Sequence, residues 1–203
     1  VELVPVVSQG CRPLGRRFIV TAAEANLLHE LAGQPAFEAL RDVALSATDA
    51  EQELLQKGVF VGRVINEQQA TFERGDFLIL GVIGVDEEQG FVAINQPIRK
   101  GVTVQFHVRD ADSADDDLRQ MLAPLGVQDG ASPIEGALLI SCNGRGTNMW
   151  EAPGHDVGVL EEILGPIPVG GFFAAGELGP VGGRNFVHGF TASLGLFRRR
   201  TVV

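Results

Sequence analysis

Two short segments hold the side chains best suited to chemistry. Ser141-Cys142-Asn143-Gly144-Arg145-Gly146 leaves one apolar run, and Ala175-Gly176-Glu177-Leu178-Gly179-Pro180 leaves another. A stretch of helical periodicity separates the two runs, which makes them parallel strands joined by a crossover helix. In open α/β sheets, ligands lodge just outside the carboxyl ends of such strands. Cys142, Arg145 and Glu177 are therefore expected to face one crevice, with His188 added by Asn185-Phe186-Val187-His188-Gly189-Phe190-Thr191 as the chain returns along that edge. A guanidinium such as Arg145 holds a ligand carboxylate through paired hydrogen bonds, and the carboxylate of Glu177 suits an ammonium. Asn143 and His188 would supply hydrogen bonds, and Phe172 or Phe173 an apolar wall. A second chemistry uses Cys142 as nucleophile, His188 as base and Glu177 to orient the imidazole. Each side chain also has a structural use: Cys142 as a small buried hydrophobe, Arg145 in an internal salt bridge to Glu177, Glu177 as a cap for backbone N–H groups, and His188 as a hydrogen-bonded structural histidine.

Other motifs carry less. Gly144-Arg145-Gly146 is not a dinucleotide fingerprint, because position 149 is Met, and no Gly-Lys-Ser/Thr follows a glycine loop, so no cofactor is expected. Cys11 and Cys142 form no Cys-x-x-Cys pair, and no metal site is expected. Asp110-Ala111-Asp112-Ser113-Ala114-Asp115-Asp116-Asp117 lacks the central Gly and final Glu of a calcium loop. It reads as the first turn of a helix capped by Asp112 or Ser113. His155, beside Asp156, reads as helix-start context, and His29 and His107 fall on polar faces without a role. Met149-Trp150 is a core plug or an exposed lid.

The positioning elements follow from periodicity. Val1–Arg17 reads as extended chain and turns, then Phe18-Ile19-Val20 as a short strand. Thr21-Ala22-Ala23-Glu24 has capping-box spacing, predicting a helix through Leu27, Leu28 and Leu31 to Gly33. A second helix starts at Pro35, with Phe37, Leu40 and Ala44 on one stripe, and a third opens on the box Thr48-Asp49-Ala50-Glu51 and ends at Gly58. From residue 59 the texture becomes β-rich: 59–65, 70–73, 77–85, 91–94 and 102–109 predict an antiparallel meander. In its last strand Val102, Val104, Phe106 and Val108 alternate with Thr103, Gln105, His107 and Arg109, predicting one buried and one wet face. Leu118, Met121, Leu122 and Leu125 mark a helix over 114–125 packed on a sheet. A strand at 137–142, a helix at 156–164, a strand at 169–174 and a last strand at 189–197 complete the chain. The fold class is α+β: an antiparallel meander packed with helices, then a C-terminal β-α-β unit and final strand in a mixed sheet. A single domain over 1–203 is expected, with 1–58 a mostly helical lead-in and 59–203 the sheet core.

Composition narrows the class. The 203 residues carry 16 Lys plus Arg against 26 Asp plus Glu, a net charge of −10, which disfavours nucleic acid as a partner. Apolar residues make up 45%, enough for a packed core, and the longest apolar run, near Phe77–Val85, is far short of the roughly 18 residues that span a bilayer. No membrane partner is expected, and two cysteines suit a reducing, cytoplasmic compartment. Val1 stands where an initiator Met would, so a fragment or processed product is expected.

These same residues carry a family likeness. Ser141-Cys142-Asn143-Gly144-Arg145-Gly146, Gly171-Phe172-Phe173 leading to Gly176-Glu177-Leu178-Gly179-Pro180, and Phe186-Val187-His188-Gly189-Phe190-Thr191 resemble the C-terminal half of the FIST domain. The resemblance extends upstream through Val4–Cys11, Glu30–Ala36, Gly75-Asp76-Phe77 and Phe106–Asp110, nearly the whole chain. Ala32-Gly33 stands where the family pattern has an acidic residue before that glycine. The resemblance implies a sensory domain of bacterial intracellular signalling proteins that binds a small ligand such as an amino acid, and not an enzyme. It also implies as partners the absent N-terminal FIST half or an output signalling domain. A pure interaction module, docking through the meander edge or the Met149-Trp150 loop, is the remaining alternative.

Overall fold

A computed structural model describes residues 1–126 and 132–200. Two compact units divide the chain: Val1–Gly10 with the described part of Asp110–Val203, and Cys11–Arg109. The expected single domain is thus built as two bodies. The first unit opens with β1 (Glu2–Ser8). The second holds β2 (Arg12–Glu24), β3 (Leu27–Leu31), β4 (Gln34–Pro35), α1 (Ala36–Ser46), α2 (Asp49–Lys57), β5 (Phe60–Val64), β6 (Phe77–Asp86), β7 (Phe91–Ile94) and β8 (Thr103–Val108). The chain re-enters the first unit with α3 (Ala111–Leu122), β9 (Ile134–Cys142), α4 (His155–Leu164), β10 (Val169–Ala174), β11 (Glu177–Val181), β12 (Arg184–His188) and β13 (Ala192–Arg198).

In the second unit the strands run β2-β8-β5-β6-β7-β3-β4, and β2 also pairs with β3, so six antiparallel strands close into a ring. Closure removes all but the short β4 edge. The helix expected over 21–33 is therefore corrected: the segment is the end of β2, a reversal at Ala25 (φ +50°) and β3. Two register shifts in the β2–β3 ladder let Leu28 and Leu31, an odd number of residues apart, both face inward, which mimics a helical stripe. The Thr21 hydroxyl, read as a helix cap, instead donates to Glu30 and accepts from the Gly33 N–H. No strand forms over 70–73, where the Glu73 N–H donates to the Asp76 carboxylate in a turn (2.7 Å). The wet face expected on β8 is buried as well: Gln105 donates to the Gly15 carbonyl, Thr103 to Glu67, and His107 packs edge-on to Phe77. The capping box at Thr48 and Glu51 is formed as read.

The first unit is a mixed four-stranded sheet of order β1-β13-β9-β10. β9 and β10 are parallel, as a helical crossover requires, and β13 is antiparallel to both its neighbours. α3 and α4 cover one face: Leu118, Leu122, Val159, Leu160 and Leu164 pack on Val6, Ala137, Leu139, Leu194 and Leu196. α3 is capped by Asp110, whose carboxylate accepts from the Ser113 N–H, two residues before the expected cap. The stretch 177–188, to which the sequence assigns no element, is a hairpin, β11–β12, turned at Gly182 and Gly183, both with positive φ. The final strand accordingly starts at Ala192.

Gly171 in β10 tests this packing. A Cβ there would overlap the Leu139 carbonyl of β9, so Gly171→Ala should destabilise by about 1–3 kcal/mol, and thermal unfolding should fall by roughly 2–4 °C per kcal/mol. Gly158→Ala is the control. It lies inside α4 with nothing near its missing Cβ and should stabilise by about 0.5–1 kcal/mol.

Candidate functional site

The turn leaving β9 is pinned by its backbone. The Cys142 N–H donates to the Thr191 carbonyl (2.9 Å), Asn143 N–H to Ala174 at the end of β10 (2.7 Å), and Arg145 N–H back to Cys142 (2.9 Å). The glycines flanking Arg145 make room for rings. A Cβ at Gly144 would run into Phe190, and one at Gly146, whose φ is +65°, into Phe173. With its backbone held between two rings, the Arg145 side chain turns inward and is 1% exposed.

There it meets Asp156 in the first turn of α4, Nε to Oδ2 at 2.9 Å and Nη2 to Oδ1 at 2.8 Å. The Ser141 hydroxyl donates to Oδ2 (2.7 Å), and the His155 Nδ1 faces Oδ1 (3.3 Å). Burial pushes the Asp156 carboxyl up, but the Arg145 hydrogen bonds and charge, with Ser141 and His155, outweigh it and hold it below the usual carboxylate value. The network continues outward. His155 Nε2 faces Asp115 (3.0 Å), Asp115 pairs with Arg119, and Arg119 with Glu162. Trp150 stacks flat on His155 at 3.7 Å, with the Arg145 guanidinium 5.0 Å from its ring centre.

Beside this pair lies a pocket of about 330 Å³ at the carboxyl ends of β9 and β10. Ser141, Gly146, His155 and Asp156 form its polar part, and Leu139, Val157, Val169 and Phe173 its apolar walls. Gly154 (φ +79°) precedes α4 and gives it no side-chain cap, and residues 154–157 at the start of the helix line the pocket.

Of the expected site residues, Phe173 lines this pocket, as does Phe172. Arg145 stands directly behind it, paired with Asp156 and not with Glu177. Asn143 is exposed, its carbonyl accepting from Asn148 (2.7 Å). Cys142 is buried, with Sγ against the Gly144 N–H (3.4 Å). Glu177 and His188 are cross-strand partners in the β11–β12 hairpin. Glu177 Oε2 accepts from both the N–H and the hydroxyl of Thr191, whose carbonyl accepts from Cys142. His188 Nε2 donates to the Gly179 carbonyl (2.9 Å). Glu177 Oε1 and His188 Nδ1 are both buried, with no hydrogen-bond partner among the described residues. The sequence therefore pointed to two neighbourhoods joined through Thr191. It missed Asp156, Ser141 and Trp150, although an acidic residue in a first turn whose cap is glycine was a usable signal for Asp156.

Two outcomes follow. Arg145→Met leaves Asp156 buried and unpaired, a loss of about 3–5 kcal/mol, whereas Arg145→Met with Asp156→Leu should recover most of it, both read by chemical denaturation. Burial pushes His188 below its ordinary 6.5, against the opposing pull of the Gly179 carbonyl and the Glu177 charge. The folded chain then holds a neutral ring where the unfolded chain takes a proton. Stability is full above about pH 6.5 and declines as pH drops below it, until the folded value is passed. His188→Gln should flatten that slope in a pH series of unfolding midpoints.

The model of the FIST C domain matches residues 36–180, and that of the FIST N domain matches 1–34. An uncharacterized protein of Mycobacterium tuberculosis is 47% identical over 194 residues, and one of Mycobacterium bovis 46% over 198. Each match covers 96% of this chain and 50% of the relative, so the chain spans about half the length of the curated relatives it matches. The N-domain match takes in β1 of the first unit and β2 and β3 of the second, so the family boundary does not follow the division into units. With most of its length matched by the two models, the chain belongs to the FIST family.

Proposed function

We propose that the chain is part of a sensory module for signal transduction and binds a small ligand, an amino acid or related metabolite, in the pocket between β9, β10 and α4. FIST domains are generally described as small-ligand sensory domains of signalling proteins, which are not catalytic. The observation that carries the reading is the pocket itself: about 330 Å³, apolar on one side, with Ser141, His155 and the uncapped start of α4 on the other. That volume is at the small end of ligand sites and suits a molecule of amino-acid size. The ligand carboxylate takes the first-turn N–H groups of α4, where backbone donors and the helix dipole favour an anion. Its ammonium donates to the Ser141 hydroxyl oxygen, and its side chain lies against Leu139, Val157 and Phe173. Arg145 is a positioning residue here, because its Nε and Nη2 are spent on Asp156. Cys142 and Asn143 shape the turn, while Glu177 and His188 brace the adjoining hairpin through Thr191.

Thermal unfolding with a panel of free L-amino acids is the test. A ligand at about a hundred times its Kd should add about 2.7 kcal/mol, roughly 5–11 °C for a chain of this size. Phe173→Ala should weaken the effect at least tenfold, and Leu139→Trp, which fills the pocket, should abolish it. The reading fails if no amino acid stabilises this chain, alone or joined to the other half of a relative. It also fails if stabilisation survives both substitutions.

A further inference from the structure

The four-stranded sheet has a second face, and among the described residues nothing in the first unit covers most of it. α3 and α4 take the side of Val6, Leu139 and Leu194. On the opposite side the register rows run Pro5, Gly195, Leu138, Gly170 and, one step along, Val7, Ser193, Ile140, Phe172. The missing Cβ atoms of Gly195 and Gly170 point at Leu3 and Leu138, which places all four on this side. The β11–β12 hairpin covers only the Val7 end, where Gly179 lies flush on Val7 and the Ser193 hydroxyl donates to the Leu178 carbonyl. Beyond it Leu3 is 57% exposed and Leu138 48%, and Phe172, at the margin shared with the pocket, 66%. No charged side chain occurs among these rows, in a chain of net charge −10. β9 reads Ile134-Glu135-Gly136-Ala137-Leu138-Leu139-Ile140-Ser141-Cys142, the near-continuous apolar run of a strand covered on both faces. A flat, glycine-paved apolar face of this kind marks an interface.

We infer that this open face is the docking surface for the rest of the FIST N half, the portion that the longer relatives carry outside the half matched by these residues. Two observations select that occupant. The curated relatives are about twice as long, so they hold roughly as much chain again. β1, which forms one margin of the face, is itself N-domain sequence, zipped to β13 from Glu2↔Arg198 to Ser8↔Ala192. The N half is thus already one strand deep in this sheet, and a body tethered to β1 meets the face at high effective concentration.

The test compares the 203-residue chain with the same chain joined, in natural order, to the half of the M. tuberculosis relative that the alignment leaves over. Leu3→Cys and Leu138→Cys on the face, and Leu45→Cys on exposed α1 as control, are labelled with a maleimide and followed site by site by mass spectrometry. Labelling at 3 and 138 should slow at least tenfold in the joined protein and stay unchanged at 45. Equal rates at 3 and 138 in a joined protein that unfolds cooperatively would overturn the inference. So would protection already present in the 203-residue chain together with a dimeric mass by light scattering, since a second copy would then be the occupant. Hydrogen exchange of Leu3 to Val7 and Leu138 to Ile140 gives the same comparison without cysteines.

Discussion

The first unit depends on one buried ion pair. Desolvating Arg145 and Asp156 costs several kcal/mol for each ion, and only close geometry with further hydrogen bonds offsets that cost. On the Asp156 side both conditions are met: two parallel N–H···O contacts, a third from Ser141, and His155 on the remaining side, while Arg145 Nη1 is buried with no hydrogen-bond partner among the described residues. The pair links three pieces of chain, namely the last turn of β9, the loop after it and the start of α4. It thereby sets the helix N-terminus at the carboxyl end of the sheet. The position also suits Asp156 electrostatically, because a carboxylate in a first helical turn lies at the positive end of the macrodipole. The pocket exists because the helix is held there and the glycines of β10 bring no side chains to fill the gap.

The pair also fixes which chemistry the turn can offer. A guanidinium between glycines suggests reach toward solvent, yet the glycines serve the aromatic rings of Phe190 and Phe173. Catalysis by Cys142 would need His188 within hydrogen-bond reach. Instead Sγ rests on the Gly144 N–H and His188 Nε2 on the Gly179 carbonyl. What faces the cavity is the Ser141 hydroxyl, His155, the Asp156 carboxylate and apolar walls.

Much of this was legible in the sequence wherever one period dominated. The β-α-β crossover, the parallel pair and the Thr48 box are readable because local pattern and tertiary role coincide. Leu28 and Leu31 misled because strand bulges changed their parity, which only the closed ring reveals. The polar face of β8 read as wet because nothing local shows that Gly15 and Glu67 arrive to satisfy Gln105 and Thr103. The hairpin at 177–188 carried a signal in Gly182-Gly183, masked by the many glycines around it. The partner of Arg145 was not readable at all. Sequence shows that a buried arginine needs a carboxylate, and Glu177 and Asp156 satisfy that equally well until the crossover is folded.

Sheet geometry puts the pocket and the open face on the same two strands. Along β9, Leu139 and Ser141 face the pocket, while Leu138 and Ile140 belong to the open side. Along β10, Phe173 and Phe172 both border the pocket, and Phe172 sits in the register row of Ile140 on the open side. A ligand that moves β10 relative to α4 therefore moves both faces together, since a strand side chain cannot shift without its neighbour. β10 is the element that can yield: it is an edge strand, paired on one side only, exposed along most of its length and rich in glycine. β9, by contrast, is held between β13 and β10 and anchored through Ser141 to the ion pair. A strand paired on both sides thus lies beside one paired on one side only, each with one face to the cavity and one to the open side, so the two surfaces are coupled through the same backbone.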